Sequence, residues 1–505
     1  MLTEKELFKL ANGSDVRGVA IEEVEGEKVN LKPEAANRIA TGFAKYLSRT
    51  LNKKEEELTI AIGHDSRISA EMIKTAVIDA LTAAKVKIFD CGLASTPAMF
   101  MSTIFPETNA DGSIMITASH LPFNRNGLKF FTKRGGADHE VITTILKNAS
   151  QVEELKGENL NDKKFDLIEV YANHLCNKIR KALNDGEKPL TGMHIVVDAG
   201  NGAGGFFASK VLEPLGANTS GSQFLEPDGR FPNHIPNPED STAMAAIQKA
   251  VLENKADLGL IFDTDVDRMS AVLSDGKEIN RNALIAMMSA IIAPDYPHST
   301  IVTDSVTSDE LTKFLEGELG LHHLRYMRGY KNVINKCIEL NLNGINSPLA
   351  IETSGHGALS ENYYLDDGAY LAVKLVIAAA KAQKSGKTLS HLIDKLEYPA
   401  EAVEYRFNIN GVENFRAYGN EVLEAFQSRA IDRGIEIAEP NFEGVRLIFK
   451  GDGKDGWALL RKSLHDPKMP LNIESRYEGG TKKIVAEIKE LIKGFDNLDT
   501  SSLNR

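Results

Sequence analysis

LGLIFDTDVDR, residues 258–268, joins a short apolar run to an acidic loop that begins where the run ends. Residues 258–262 are apolar apart from one glycine, which predicts a buried strand. Asp263, Asp265 and Asp267 alternate directly after it, so one loop can direct three carboxylates at one cation. Three close carboxylates repel one another without such a cation, and hard oxygen ligands favour Mg²⁺. The stretch therefore predicts a strand of an α/β sheet that carries a metal site at its carboxyl end.

Three other interpretations of this acidic loop stay open. A calcium-binding EF-hand would place Gly at the sixth position and Glu at the twelfth, where this chain has Arg268 and Ser274. A haloacid-dehalogenase-type phosphatase also has a strand followed by D-x-D, which would make Asp263 a nucleophile. Its next signature position is usually Thr or Val, whereas this chain has Asp267. The third alternative is a solvated acidic turn, and metal binding is the interpretation that the spacing favours.

The alternation of short apolar runs with longer amphipathic stretches extends along most of the chain. The stretch 33–51 repeats apolar residues at helical spacing and opens with Pro33, which predicts a helix. The other predicted strands of this part are 58–62, 85–90, 113–118, 194–198, 299–304 and 349–352. Such alternation predicts α/β layers with parallel or mixed sheets.

The pattern changes after residue 402. Strands are predicted at 403–409, 444–449, 457–461 and 471–474, around helices at 413–432 and 481–494. The 505 residues correspond to three or four domains at about 150 residues each. We expect three related α/β mixed-sheet units and a C-terminal α+β domain around a central cleft. The expected domains are 1–170, 171–280, 281–400 and 401–505.

Composition narrows the class of protein. With 59 Lys and Arg against 71 Asp and Glu, the net charge is −12, which is not the charge balance of a nucleic-acid binder. Cys91, Cys176 and Cys337 are too widely spaced for a disulfide framework or a CxxC metal knuckle, so a reducing compartment is expected. The N-terminal residues contain no apolar signal segment. We therefore expect a cytoplasmic protein without a membrane or nucleic-acid partner.

A second candidate loop is TASHLPFNRNGLK, residues 117–129, which places Ser119 directly after a predicted strand. His120 is its neighbour, and amide and basic side chains follow as far as Lys129. A hydroxyl at a strand end within such a loop can accept a phosphoryl group whose charge the neighbouring donors offset. An ordinary loop serine is the alternative.

The glycine-rich stretch GNGAGG, residues 200–205, follows the strand predicted at 194–198 and matches G-x-G-x-x-G. A dinucleotide site would need an acidic residue at the end of the next strand, which we expect around 216–224. That strand does not end in an acid, because Glu226 and Asp228 fall in a proline-glycine turn. The sequence therefore argues against a nicotinamide site.

Two further loops offer polar contacts. Residues 352–357, ETSGHG, place Glu352, Ser354 and His356 at a strand end, where they could bind sugar hydroxyls and move a proton. A satisfied polar turn is the alternative there. A possible phosphate cradle, or a basic surface turn, lies in LLRKSLHDP, residues 459–467, with Arg461, Lys462, Ser463 and His465.

Together and in this order, these loops resemble those of the α-D-phosphohexomutase superfamily, which includes phosphoglucomutase and phosphomannomutase. In that family a T-A-S-H-N-P-type loop carries a phosphoserine and a D-x-D-x-D-R loop binds Mg²⁺. A G-E-x-S-G-H-type loop reads the sugar, and an R-P-S-G-T-E-P-type loop in the last domain holds the phosphate. The resemblance covers nearly the whole chain.

The resemblance implies roles for the matching residues. Ser119 matches the phosphoserine, and Lys129 resembles the proposed general acid/base, with His356 beside it. Arg17 and Arg268 resemble active-site arginines, while Arg67 lies in another recurrent family loop. The implied metal ligands are Ser119, Asp263, Asp265 and Asp267. The implied substrate-binding residues are Glu352, Ser354, Lys331, Arg461, Ser463 and, in a position where the loop is altered, His465.

The implied reaction is the interconversion of hexose 1-phosphate and hexose 6-phosphate, of glucose, mannose or both. Phosphorylated Ser119 would donate its phosphoryl group to the free hydroxyl, and the bisphosphate would return its other phosphate to Ser119. Mg²⁺ and a hexose 1,6-bisphosphate are the expected cofactors. The expected partners are small sugar phosphates, for a monomer or homodimer.

The chain departs from the family pattern in three loops. Leu121 stands where the family usually has Asn, and Ile351 where it usually has Gly. In the phosphate loop Leu464 and His465 replace Gly and Thr, and Asp466 replaces Glu. A remodelled phosphate contact is therefore expected. It leaves open a sugar-phosphate phosphatase that uses Ser119 or Asp263, or a non-catalytic sugar-phosphate-binding paralogue.

Overall fold

The computed structural model describes residues 2–157, 162–463 and 466–504. The chain forms two compact units, Met1–Ile291 with Ser354–Leu392, and Ile292–Thr353 with Ile393–Arg505. The chain thus leaves the first unit, returns to it and ends in the second. Among the described helices, none combines the length and apolar character that crossing a bilayer requires.

The first unit contains a large mixed sheet. Strand Thr59–His64 runs parallel to Lys87–Leu93 on one side and to Gly112–Ile116 on the other. Strand Arg125–Thr132 is antiparallel to Gly112–Ile116. On its other side Arg125–Thr132 pairs antiparallel with Asp15–Val19. The shorter strands of this sheet are Ala11–Asn12, Gly135–Gly136 and Asp162–Lys164. Because carboxyl ends of parallel strands meet at one edge, the loops after residues 64 and 116 lie side by side.

A smaller sheet of the same unit carries the acidic loop. Strands Ile195–Asp198 and Leu258–Phe262 are parallel, and Met269–Leu273 returns antiparallel to the second of them. Every residue of the last two strands is buried, as expected for a sheet covered on both faces. The predicted strand 258–262 is therefore confirmed to the residue. Further short strands of the first unit are Glu278–Ile279, Gly357–Leu359 and Leu365–Asp366.

The strand expected at 216–224 is wrong. Only two isolated parallel bridges, His194 with Asn218 and Asp198 with Gln223, join this stretch to the sheet. Between these two bridges the Val197 amide donates to Ser222 Oγ at 2.9 Å and not to a backbone carbonyl of the stretch. Short polar side chains that bond to nearby backbone in this way compete with a regular strand.

The second unit contains a parallel arrangement and an antiparallel sheet. Strand Thr300–Asp304 is flanked by the parallel strands His322–Tyr326 and Leu349–Ile351. The C-terminal antiparallel sheet consists of Glu436–Ile437, Val445–Phe449, Gly456–Leu460, Lys468–Ser475, Glu401–Ile409 and Leu498–Asp499, in spatial order. Its core includes Phe407, Phe426 and Ile488, which come from the sheet and from its two helices.

The helices begin where the sequence supplies N-terminal signals. Pro33 occupies the first turn of Pro33–Leu51, and the Asp138 and Asp240 side chains accept backbone N–H groups at two other starts. The α-helices are Glu4–Phe8, Pro33–Leu51, Ala70–Ala83, Thr96–Met101, His139–Ser150, Leu167–Leu183, Ser241–Asn254, Arg281–Ile292, Asp309–Lys313, Tyr330–Leu342, Gly368–Lys384, Phe415–Asp432 and Gly480–Leu491. Shorter 3₁₀ or π turns are Glu55–Glu57, Phe207–Leu212, Glu213–Leu215, Phe314–Glu318, Ser360–Asn362, Leu389–Ile393 and Ser501–Asn504.

This arrangement confirms the predicted fold class of three α/β mixed-sheet units followed by an α+β C-terminal domain. The helices predicted at 33–51, 413–432 and 481–494 correspond to Pro33–Leu51, Phe415–Asp432 and Gly480–Leu491. The four domain boundaries stay predictions.

Candidate active site

Ser119 lies in the loop after strand Gly112–Ile116 and is 1 % exposed. Its Oγ accepts a hydrogen bond from Arg268 Nη2 at 3.0 Å and donates one to Asp263 Oδ2 at 3.2 Å. His120 Nδ1 lies 3.3 Å from the same oxygen. The backbone at Ser119 has φ +54°, in the left-handed region that non-glycine residues rarely occupy. Such strain persists only where surrounding contacts impose it, so the loop holds this hydroxyl in a fixed place.

Arg67 supplies much of that constraint. Its Nη1 donates to the carbonyls of Pro122 and Arg125 at 2.8 and 2.9 Å, and its Nη2 donates to Leu121 at 2.6 Å. Nη2 also donates to the carbonyl of Ser119 itself. One buried guanidinium therefore binds four carbonyls of the serine loop.

Asp65 also stabilises the loop that carries Ser119. Thr117 Oγ1 donates to Asp65 Oδ2 at 2.6 Å and accepts from the Ser119 amide at 2.9 Å. The other Asp65 oxygen accepts the Arg67 amide at 3.0 Å. Burial raises the pKa of Asp65, and the neighbouring Arg67 opposes that rise. The carboxylate thus reaches Ser119 through one threonine hydroxyl.

The acidic loop 263–268 gathers its three carboxylates in a buried cluster. One oxygen each of Asp263, Asp265 and Asp267 lies within 4.8 Å of the others. Lys129 Nζ donates to Asp265 Oδ2 at 2.8 Å and to Asp267 Oδ2 at 2.5 Å. Burial raises the pKa of Asp263 well above its ordinary value, and the charges of the two neighbouring aspartates add to this. Arg268 Nε lies 3.6 Å from Asp263 Oδ2 and 4.0 Å from Asp267 Oδ1, so the three carboxylates share two cationic side chains.

This donor set fits a hard divalent cation. Asp265 Oδ1 is buried and accepts no hydrogen bond from any described residue. A buried carboxylate oxygen without a partner is costly, and oxygen-only ligation is what Mg²⁺ prefers. The predicted ligands Asp263, Asp265 and Asp267 are thus together, with Ser119 Oγ 3.2 Å from one of them.

Three separate segments of the first unit hold the backbone of the acidic loop. Val266 has φ +67°, which is strained for a β-branched residue, so outside contacts are needed. Three consecutive carbonyls each accept one amide: Thr264 from Ala203 at 2.8 Å, Asp265 from Thr96 at 2.8 Å and Val266 from Gly368 at 3.1 Å. Thr96 Oγ1 also donates to Asp265 Oδ2.

The glycine-rich stretch 200–205 takes its place in this arrangement. A Cβ added at Gly202 would lie 2.6 Å from the Thr264 carbonyl oxygen, so only glycine fits against the acidic loop. The neighbouring Ala203 amide then reaches that same carbonyl. The structure thus gives the G-x-G-x-x-G pattern a supporting role beside the acidic loop.

Arg268 connects the serine to two imidazoles. Its Nη2 donates to His120 Nδ1 at 2.6 Å, and its Nε donates to His356 Nε2 at 3.1 Å. The guanidinium charge, with burial, lowers the pKa of His120 to about 2. Burial, followed by Arg268 and Lys129, lowers the pKa of His356 well below its ordinary value. Both rings are therefore neutral and accept hydrogen bonds from Arg268.

Two other predicted residues lie in this unit. Ser354 Oγ lies 2.9 Å from His356 Nδ1, so the imidazole is held from both sides. Arg17, on strand Asp15–Val19, donates from Nε and Nη2 to Asp15 Oδ2 at 2.9 and 2.8 Å. The charge of Arg17 is among the causes that lower the pKa of His120 and of His356.

The second unit contains the remaining predicted residues. Glu352 Oε1 accepts the Gly329 amide at 2.6 Å, two residues before Lys331. Lys331 is in the first turn of helix Tyr330–Leu342. The sugar-reading candidates Glu352 and Lys331 are therefore joined through one backbone turn.

Arg461 follows strand Gly456–Leu460 and is 6 % exposed. Its Nε is buried and donates to no described atom, and burial lowers the pKa of the guanidinium. Ser463 is tied back through its amide to the Lys468 carbonyl at 2.9 Å. A buried guanidinium with an unused N–H suits an anion. The candidate His465 and its neighbour Leu464 lie outside the described residues.

The structure thus brings eight predicted residues into one region of the first unit: Ser119, Lys129, Asp263, Asp265, Asp267, Arg268, Ser354 and His356. Sequence reasoning missed the supports of this region, of which Asp65, Thr96 and Ala203 are examples. Asp65 was weakly indicated by the sequence, because GHDSR, residues 63–67, follows a predicted strand as the other candidate site loops do. Ala203 lies within the GNGAGG stretch, but that pattern did not predict its contact with the acidic loop, and Thr96 had no local indication, because both contacts join residues distant in sequence.

Three family models match consecutive parts of the chain. They describe the α/β/α domains I, II and III of phosphoglucomutase/phosphomannomutase and match residues 9–156, 169–276 and 280–398. Together these three matches take in most of the chain.

Relatives match over nearly the full length. A phosphoglucomutase/phosphomannomutase of Thermococcus kodakarensis is 29 % identical over 96 % of this chain and 100 % of its own. A phosphomannomutase/phosphoglucomutase of Pseudomonas putida is 27 % identical over 85 % of this chain and 86 % of its own. The crystal structure of a phosphoglucomutase/phosphomannomutase family protein from Burkholderia thailandensis has a TM-score of 0.78 at 23 % identity and covers 98 % of both chains. That structural likeness supports the fold.

Proposed function

The chain belongs to the phosphoglucomutase/phosphomannomutase family, and we propose that Ser119 carries the phosphoryl group by which it interconverts hexose 1-phosphates and hexose 6-phosphates. Membership confirms the superfamily expected from the motifs and, with it, a phosphotransferase of the mutase class. The residue roles that follow belong to the proposal.

The position of Ser119 Oγ supports this proposal most directly. The hydroxyl is buried, and the Ser119 backbone is held in the left-handed region. Oγ lies 3.0 Å from the Arg268 guanidinium and 3.2 Å from the Asp263 carboxylate. An ordinary loop serine needs neither the four carbonyl contacts of Arg67 nor a left-handed backbone. Phosphoryl transfer does need a fixed oxygen, because positioning and charge stabilisation dominate its catalysis.

Asp263, Asp265 and Asp267 would hold Mg²⁺, for which the unpartnered Asp265 Oδ1 leaves a ligand available. When bound, the ion supplies charge neutralisation for the transferred phosphoryl group. The Thr96, Ala203 and Gly368 contacts hold the backbone of this loop in its strained form.

In the first transfer the bond between phosphorus and Ser119 Oγ breaks as the free sugar hydroxyl oxygen bonds to the same phosphorus. Lys129 Nζ carries the proton that the hydroxyl loses and that Ser119 Oγ gains. Arg268 donates to the leaving Ser119 oxygen, and neutral His356 accepts from Arg268 Nε and so keeps the guanidinium in place. The second transfer moves the other phosphate to Ser119 by the reverse steps.

We assign substrate contacts to the side chains that the family motifs indicate. Those assigned to the sugar and its distal phosphate are Glu352, Ser354, Lys331, Arg461, Ser463 and His465. Glucose and mannose phosphates, or one of them, are the proposed substrates, with a hexose 1,6-bisphosphate as intermediate and activator. We place the protein in the cytoplasm, as a monomer or homodimer.

Isomerisation tests the proposal. Glucose 1-phosphate or mannose 1-phosphate would be incubated with the protein, Mg²⁺ and glucose 1,6-bisphosphate, and ³¹P nuclear magnetic resonance would follow the 6-phosphate. We expect turnover by the wild type and its loss, by about a thousandfold or more, in Ser119→Ala. Ser501→Ala, at an exposed serine, is the matched control.

Other outcomes separate the alternatives. Release of inorganic phosphate in place of the isomer would identify a phosphatase. Binding of either sugar phosphate without isomer or inorganic phosphate would identify a non-catalytic paralogue. Equal turnover by Ser119→Ala and the wild type would contradict the assignment of Ser119.

A further inference from the structure

Residues 442–444 of the C-terminal domain contact residues 326–328, just before the helix turn that carries Lys331, and both segments belong to the second unit. The aromatic ring of Phe442 lies 5.0 Å from that of Tyr326, centroid to centroid. Lys336 Nζ lies 5.5 Å from the Tyr326 ring centroid and 5.9 Å from that of Phe442. A ring pair with a shared cation places the 442–444 segment against the end of strand His322–Tyr326.

Glu443 makes the polar part of this contact. Its Oε2 accepts the Arg328 amide at 3.1 Å and also the Ser305 hydroxyl. The next amide, that of Gly329, donates to Glu352 Oε1 at 2.6 Å. Two consecutive backbone N–H groups are therefore held by two carboxylates, that of Glu352 and that of Glu443 in the C-terminal domain. Lys331 follows two residues later.

The other side of the segment lies against Arg461. Gly444 has φ +59°, and a Cβ added there would lie 2.2 Å from the Leu460 carbonyl oxygen and 2.8 Å from Arg461 Cβ. No larger residue fits, so the turn that carries Glu443 packs directly on the backbone of Arg461. Among nearby charges, Glu443 is the one that most opposes the lowering of the Arg461 pKa by burial.

We propose that Glu443 is a positioning residue that couples the sugar-reading loop, residues 328–331 with Glu352, to the phosphate-binding Arg461. The inference rests on the proposed function. One side chain reaches the loop while its backbone neighbour packs on Arg461, so neither can shift alone. The hydroxyl-binding and phosphate-binding groups are thereby kept at the separation that a hexose phosphate requires. The reacting oxygen of Ser119 is not involved.

Three substitutions of Glu443 separate this role from simple stabilisation. Glu443→Ala removes the acceptor for the Arg328 amide, whereas Glu443→Gln keeps a carbonyl oxygen of the same reach. Glu443→Asp keeps the charge but draws the carboxylate back by one methylene group. Glu424→Ala, at an exposed glutamate on helix Phe415–Asp432 of the same domain, is the matched control.

The experiment measures binding and turnover separately. Calorimetric titration with glucose 6-phosphate gives Kd without turnover, KM and kcat come from the mutase assay, and labelled glucose 1,6-bisphosphate reports phosphorylation of Ser119. We expect Glu443→Ala and Glu443→Asp to raise Kd and KM about tenfold, as loss of a charged hydrogen bond would. The Gln variant should stay within about threefold of the wild type, and the Ser119 labelling rate of all variants at saturating glucose 1,6-bisphosphate should be unchanged.

A Kd for Glu443→Asp equal to that of the wild type and Glu424→Ala would overturn the inference. So would equal losses in Glu443→Gln and Glu443→Ala, or a fall in Ser119 labelling as large as the change in Kd. If Glu443→Ala fails to fold, the Gln and Asp variants still test whether Glu443 is a positioning residue. A wild type that binds glucose 6-phosphate without isomerising it would contradict the proposed function and leave this comparison intact. A wild type that does not bind it would contradict both.

Discussion

The acidic loop of the first unit and the strand end of the second unit that carries Arg461 each contain a buried polar atom without a hydrogen-bond partner among the described residues. In the acidic loop, three carboxylates face two cationic side chains, Lys129 and Arg268, and one carboxylate oxygen accepts no hydrogen bond from any described residue. At the strand end, the buried Arg461 leaves one N–H without an acceptor among the described residues. An unsatisfied carboxylate oxygen suits a cation, and an unsatisfied guanidinium N–H suits an anion.

The two regions also differ in how they are held. The acidic loop accepts amides from three segments on consecutive carbonyls, so its strained backbone is over-determined. The strand end that carries Arg461 is held by the packing of Gly444 on Arg461 and by the hydrogen bond of Glu443 to the neighbouring loop. We therefore expect changes in the first region to affect chemistry or metal affinity, and changes in the second to affect substrate affinity.

The largest effect is expected from Arg268→Lys in the first region. Lysine cannot donate to Ser119 Oγ, His120 and His356 at once as the guanidinium does. We expect kcat to fall about 100- to 1,000-fold with a smaller change in KM, because removal of one preorganised donor has effects of that size. Steady-state isomerase kinetics measure both. A change confined to KM would place Arg268 with the substrate-binding residues instead.

Thr96→Val comes next and concerns the metal. The substitution keeps the size of the side chain and the backbone amide but removes the hydroxyl that donates to Asp265. Loss of such an outer contact costs about 10- to 100-fold in metal affinity. Titration of the metal-free protein with Mn²⁺, followed by electron paramagnetic resonance, measures the affinity directly. Thr312→Val is the control, and equal affinities in both variants would show that Thr96 does not support the site.

Arg461→Lys tests the second region. Lysine retains the charge but lacks the planar set of donors, so we expect KM to rise about tenfold with kcat close to that of the wild type. The rate of Ser119 labelling by glucose 1,6-bisphosphate should stay the same at saturating concentration. A fall in kcat as large as that of Arg268→Lys would erase the distinction between the two regions.

The smallest effect concerns stability in the second unit. Burial raises the pKa of Glu474 to about 7, while Trp457 Nε1 donates to its carboxylate at 2.9 Å. The ordinary value is about 4.3, so the stabilisation is complete below that pH and is lost as pH rises through about 7. Between pH 6 and pH 7 the free energy of unfolding should fall by about 1 kcal/mol relative to Glu474→Gln.

Trp457 is the single tryptophan of the chain, so its fluorescence follows unfolding of this unit in denaturant. Parallel pH profiles of the wild type and Glu474→Gln would mean that Glu474 is ionised throughout and would contradict the expected shift.

Local pattern was enough to predict much of the fold. Pro33–Leu51 and Leu258–Phe262 have the predicted bounds, because apolar periodicity, a proline start and a polar boundary all act within a few residues. The prediction of a strand at 216–224 was wrong because it, too, rested on local composition alone. Its composition permits a strand, but the Ser222 hydroxyl binds the neighbouring backbone in place of a regular ladder.

The candidate site likewise contains residues that local sequence indicates and residues whose roles depend on contacts distant in sequence. Ser119 and the three aspartates carry chemistry in their own residue types and follow strands, so the sequence points to them. Arg67 looks like any loop arginine until four carbonyls converge on it. Glu443 likewise lies 115 residues from the amide that it accepts, and no local pattern predicts such a pair.

The central claim is that Ser119 carries the phosphoryl group between the two positions of the sugar. The most direct measurement uses glucose 1,6-bisphosphate labelled with ³²P, followed by peptide mapping and a chase with unlabelled glucose 1-phosphate. Our account predicts that the label appears on Ser119 and then leaves with the sugar at a rate no slower than kcat. Label on another residue, or label on Ser119 that the chase does not remove, would contradict it.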